Sequence, residues 1–123
     1  LAAPDIDADV FRRDIAPKMV QRIKNPITLY VSADDVALKA SHKVHGNPRA
    51  GDVGSSIVLV DGIETIDASG IDTSFMSHSY FAETHSIIED ILDMIKSGRR
   101  AASRQTLELI QAASKVYWKV VRN

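Results

Sequence analysis

The chain has 123 residues, of which 45% are hydrophobic, and its 15 Lys and Arg against 16 Asp and Glu give a formal net charge of -1. That length makes one domain or part of one, and the balanced charge excludes a general attraction to nucleic acid or to an anionic membrane surface. The absence of cysteine excludes disulfides, thiol chemistry and cysteine-ligated metals within this stretch, and no apolar run approaches the ~20 residues of a membrane span.

The sequence opens LAAPDIDADVF, with no initiator Met and no signal-peptide pattern. Residues 1–3 read as the end of a buried strand whose beginning is missing, and Asp5, Asp7 and Asp9 as a polar turn. Val10, Phe11, Ile15, Met19, Val20 and Ile23 recur at helical spacing. Pro17 interrupts that stripe, so a short turn followed by a helix over 17–24 is predicted. ITLYVS, residues 27–32, is β-branched and aromatic on both faces and predicts a central parallel strand. Residues 36–45 suit a short helix and 46–54 a loop rich in Gly and Pro. A strand is placed at 63–67, and IVLV at 57–60 fits either a strand or a packed loop. After a polar loop over 70–79, the stripe of Ile87, Ile88, Ile91, Leu92 and Ile95 predicts a helix over 80–97 that Gly98 stops. Leu107, Ile110, Ala113, Val116, Tyr117, Val120 and Val121 predict a second amphipathic helix over 103–121. The order of elements is α/β. A few parallel strands alone would leave apolar faces and open edges, so other chain segments are expected to complete the sheet.

In such sheets, reactive groups collect beyond the carboxyl ends of the strands. Asp5 with Asp7, Asp34 with Asp35, and His78 stand at such ends. A hydrolase triad needs a histidine as general base and a carboxylate to fix its tautomer, and acid before histidine is the α/β-hydrolase order. Asp35 followed by His78 meets it. Asp34 competes with Asp35, and the member of the pair that does not face the histidine is expected to cap the next turn. Asp5 is a further rival acid. No serine stands in a G-x-S-x-G elbow.

The blocks LAAPDIDADVF, LYVSADDVAL, HGNPRAG, ETIDAS and HSYF, in this order over roughly residues 1–95, resemble a bacterial family of α/β-hydrolases of uncharacterised function within the esterase/lipase superfamily. The resemblance implies the C-terminal part of an α/β-hydrolase fold with a mostly parallel sheet, here over residues 1–98. An extra C-terminal amphipathic helix would occupy 99–123. It also implies that Asp35 is the triad acid after the seventh strand and His78 the triad histidine after the eighth. The nucleophile serine would lie in the absent N-terminal part. The expected substrate is a small ester or related acyl compound, with no cofactor and no metal. The expected partners are the missing N-terminal segment of the same protein and a second copy in a homo-oligomer; Tyr117 and Trp118 fit either packing on the domain or a dimer interface. The compartment stays open between bacterial cytoplasm and periplasm.

The other candidates carry blander readings. His42 and His45 with Asp52 have generic spacing for a metal and suit a helix C-terminus. His85 is a back-up base inside the long helix. Arg49 is expected to pair with a carboxylate near the site, and Tyr80 and Phe81 to anchor the last helix. Arg99, Arg100, Arg104 and Lys115 make a basic, solvated side. Two rival functions remain at this level: a non-catalytic relative used for binding or structure, and a hydrolase with Asp5 or Asp35 as nucleophile.

Overall fold

The computed structural model describes residues 1–53, 57–70 and 80–121, and the side chains of residues 80–84 are outside that description. The described residues form a mixed, mostly parallel sheet flanked by helices.

The first helical stretch starts where Asp7 accepts hydrogen bonds from Asp9 N at 2.9 Å and Val10 N at 3.0 Å through Oδ1. Helix α1 (Ala8–Val10) runs without a break into a π-helical turn, Phe11–Ile15, and then into α2 (Ala16–Arg22). Ala16 N donates to Phe11 O, a bond one residue longer than in an α-helix. The wide turn puts Pro17 in the first turn of α2, where its missing N–H costs little. The predicted short turn is therefore itself helical. Phe11 and Ala16 are fully buried against the sheet.

Strand β1 (Ile27–Val31) is buried along its whole length, as its two-faced apolar sequence requires. It pairs in parallel with β2 (Ile63–Asp67), Ile27 opposite Ile63 and Val31 opposite Asp67. On the other side of β1, Leu1 N donates to Thr28 O, Tyr30 N to Leu1 O and Ala3 N to Tyr30 O, with Ala2 in a parallel bridge to Tyr30. Residues 1–3 thus run beside β1, with Leu1 and Ala2 exposed where a buried strand end was expected. Helix α3 (Val36–His45) follows β1 and ends at Gly46, whose φ of 74° only glycine adopts without strain. Residues 57–60 join no ladder; Val58 is fully buried and its carbonyl accepts from Thr65 Oγ1, so IVLV is a packed loop.

Helix α4 (Tyr80–Ser97) lies over one face of the sheet, where Ile87 and Ile91 pack on Tyr30, Ile66 and Ala68. Phe11, Leu29, Val31 and Val58 fill the other face. Fully burying side chains of this size contributes ~1.5–3 kcal/mol each.

The C-terminal part differs from its prediction. In place of an amphipathic helix, a short 3-10 turn at Ala101–Ser103 leads into a β-hairpin of β3 (Leu107–Ala112) and β4 (Lys115–Val120). Strand β4 pairs in parallel with β2 through Ile66–Trp118 and Asp67–Lys119, and β3 runs antiparallel to β4. The sheet order is β1-β2-β4-β3. Val116, Tyr117, Trp118 and Val120 are strand formers. Alternation puts Leu107, Trp118 and Val120 on the same face as Tyr30 and Ile66, where an apolar cluster receives them. That burial outweighs the helical spacing.

Candidate active site

The two turns beyond the carboxyl ends of β1 and β2 are laced together. Ala68 N donates to Val31 O at 2.8 Å and Ala33 N to Ser69 Oγ at 2.7 Å. Ser69 N in turn donates to Asp67 Oδ1 at 2.8 Å, and Gly70 N donates to Asp34 Oδ2. Sequence reasoning missed Asp67 and Ser69 as members of this lacing. The D-x-S-G run is its signal, because short Asp and Ser side chains readily bond backbone N–H groups in turns.

Of the two adjacent aspartates, the one expected to face the histidine is the one that caps the next helix. Asp35 is the cap: its Oδ1 accepts Leu38 N at 3.1 Å at the start of α3. Asp34 is exposed and reaches across to Gly70, the last described residue before 71–79. Asp35 is also half-buried and lines a cavity of about 190 Å³ with Ala2, Ala3, Tyr30, Ala68, Ile87 and Ile91. A carboxylate lining a mostly apolar hollow, at the carboxyl end of parallel strands, stands where α/β enzymes place their chemistry. A second hollow, lined by Gly62, Ile63 and Lys115 among others, lies at the amino ends of β2 and β4, at the opposite end of the sheet.

His78 lies outside the described residues. Among the described residues, no serine, histidine and aspartate are brought together as a triad. His85 is exposed and pairs with Glu89 at 2.9 Å, one helical turn on. His42 and His45 lie in the last turn of α3, and among the described residues no group of three or more His, Asp or Glu is placed to hold a metal ion.

Asp5 is held by other groups. Its Oδ1 accepts Arg49 Nε at 2.6 Å and Ser41 Oγ at 2.7 Å, and its carbonyl accepts Arg49 Nη2 at 3.1 Å. The Ser41 hydrogen bond is the largest influence in lowering the Asp5 pKa below its ordinary value; desolvation opposes it, and Arg49 adds to it. Arg49, itself buried, thus closes the 46–53 loop onto the first turn, aided by Ala8 N to Pro48 O and Ala50 N to Ile6 O. Arg49 finds the carboxylate expected of it, at the side of the site.

The family described as α/β hydrolase of unknown function (DUF900) matches residues 1–97. The chain belongs to that family. As an α/β hydrolase of this group, it carries the parallel core of β1, β2 and the 1–3 segment, together with helices α1 to α4, inside the matched span; the hairpin of β3 and β4 lies beyond it. No curated protein and no solved structure matches the chain. Among the described residues, no helix of this α/β hydrolase is long and apolar enough to cross a membrane.

Proposed function

We propose that this chain is the acid- and histidine-bearing part of a serine hydrolase acting on ester or related acyl bonds. A preceding segment of the same protein supplies the nucleophile. The observation that carries the reading is the lacing of the two turns: Gly70, bonded to Asp34, precedes in sequence the segment that contains His78, and Asp35, the neighbour of Asp34, lines an apolar cavity. In this reading His78 takes the proton of the attacking serine and returns it to the leaving group, while Asp35 holds the imidazole tautomer. Water then releases the acyl-enzyme. No cofactor is required. Asp34 is the tether of the histidine-bearing segment.

The test is fluorophosphonate labelling of the full-length protein, with His78→Ala, Asp35→Asn and Asp34→Asn beside the wild type. Labelling of an upstream serine, abolished in the first two variants and only weakened in the third, is the expected result. A well-folded wild type that takes no label rejects the reading. It would favour a non-catalytic binding protein, which the capping use of Asp35 already suits.

A further inference from the structure

The least accessible charges described in the chain lie under the candidate site. The Asp90 carboxylate, on α4, is wholly buried and so is nearly all of the Arg104 side chain. Arg104 Nε donates to Asp90 Oδ1 at 2.8 Å and Nη2 to Oδ2 at 3.3 Å, while Nη1 donates to Arg99 O at 2.9 Å. Thr106 Oγ1 donates to Asp90 Oδ1 at 2.6 Å. The remaining donor is the Tyr30 hydroxyl, 2.6 Å from Asp90 Oδ2. One carboxylate thus joins three elements: the hairpin segment through Arg104 and Thr106, α4 through its own backbone, and β1 through Tyr30.

The position of Asp90 gives this knot a consequence beyond packing. Tyr30 on β1 and Ile91 on α4, the residue after Asp90, both line the apolar cavity that Asp35 also lines, and Ile87 lines it one helical turn earlier. Strand β1 and helix α4, the two elements that the Tyr30–Asp90 bond joins, thus each form part of the cavity wall. Apolar residues of similar volume often hold two elements together at least as firmly as a buried ion pair. What they lack is direction: a two-oxygen acceptor with four donor bonds fixes one geometry.

We propose that Asp90, oriented by Arg104 and Thr106, is a positioning residue that sets the α4 wall of this cavity, and that the cavity takes the apolar acyl chain of the substrate. The inference rests on the hydrolase reading for its substrate and on the structure for its geometry. At roughly 30 Å³ per water, the cavity holds the volume of about six waters, the room of a short acyl chain. Its width then decides chain-length preference, while Arg104 and Thr106 touch neither the cavity nor the reacting atoms.

The experiment uses the full-length protein with Thr106→Val, which keeps shape and removes one donor, and Arg104→Lys, which keeps the charge and removes the planar fork. Hydrolysis of p-nitrophenyl acetate and hexanoate is compared. Both variants are expected to lower the hexanoate-to-acetate ratio of kcat/KM by about 3-fold or more through KM, with acetate kcat within about 2-fold of wild type, on the scale on which apolar pockets discriminate methylenes. An equal fall on both esters, or an unchanged ratio, overturns the proposal. A readout free of turnover separates it from the hydrolase reading: hexanoate added to protein carrying labelled isoleucine methyls. Shifts at Ile87 and Ile91 that need several-fold more hexanoate in the variants support the proposal even if no ester is cleaved, and their absence in wild type overturns it.

Discussion

Replacing Gly51 by alanine is expected to be among the most damaging single-methyl additions to this chain. A Cβ on Gly51 would stand 2.3 Å from the Ala3 carbonyl carbon, 2.5 Å from Ala3 Cα and 2.6 Å from Pro4 N. All three are backbone atoms, so no side chain can swing away. Gly51 N donates to Pro4 O and Ser32 N to Gly51 O, both at 2.9 Å, so the methyl must wedge apart the junction of residues 3–4, 32 and 51. Overpacking of this kind costs ~1–3 kcal/mol. Each buried backbone bond that fails to re-form adds ~1 kcal/mol or more, and alanine returns ~0.4–1 kcal/mol by stiffening the unfolded chain. The net loss is about 3 kcal/mol. In urea, with a slope near 2 kcal/mol/M, the midpoint falls by about 1.5 M. Gly46→Ala is the control: its φ is 74° but nothing lies within 4 Å of the added atom, so only the left-handed backbone penalty of ~1–2 kcal/mol applies. Equal midpoints for the two variants, or a Gly51→Ala loss below that of Gly46→Ala, would refute the close-approach argument.

Arg104→Met leaves the Asp90 charge buried with hydroxyl donors only, and is expected to cost ~3–5 kcal/mol, while Asp90→Leu with Arg104→Met together recovers most of it; chemical denaturation of both variants checks the pattern, which fails if the double variant is the weaker. The Tyr30 phenol is pushed well above its ordinary 10.0, first by burial and then by its bond to Asp90. A raised folded-state value favours the neutral phenol, so this contribution is whole below pH 10.0 and is lost as pH rises through the folded value. Tyr30→Phe should therefore remove no phenolate absorbance from the titration of the folded protein near pH 10, and a missing transition there would contradict it. Ser86 Oγ is buried and unpartnered among the described residues, so Ser86→Ala is expected to be neutral or to raise Tm by a few degrees; a fall of several degrees would reveal a partner.

The elements that sequence pattern exposed are those where one periodicity was available. β1 had no polar face, which left a central strand as its reading, and α4 offered a stripe long enough that no strand competes. The hairpin misled because Leu107, Ile110, Ala113 and Val116 satisfy helical spacing, while Leu107 and Leu109, then Trp118 and Val120, satisfy alternation. Its turn carries no Gly or Asn: Ala113 takes a φ of 55°, so the usual mark of a hairpin is absent. Pro17 reads in sequence as an interruption, but a π turn with no sequence mark of its own carries the helical stretch on and leaves Pro17 in the first turn of α2. At the site, residue types found the ends of the strands, yet adjacency hid the roles. Which of Asp34 and Asp35 caps α3 depends on where the chain leaves β1, and that is fixed by Ala33 N binding Ser69 Oγ, 36 residues away.

The hairpin also changes how the matched family core should be regarded. Residues 1–97 hold β1, β2, the Asp34–Asp35 pair and the helix that carries Asp90, but among the described residues they do not supply the cation that pairs with Asp90. A carboxylate this deeply buried is tolerable only when paired and hydrogen-bonded, and Arg104 and Thr106 stand beyond the matched span. Strand β4 at the same time covers the β2 edge at Ile66 and Asp67, which would otherwise offer open backbone groups beside an apolar face. Within this chain, then, the charge buried beneath the cavity and the β2 edge at Ile66 and Asp67 are both satisfied by the segment beyond the matched span.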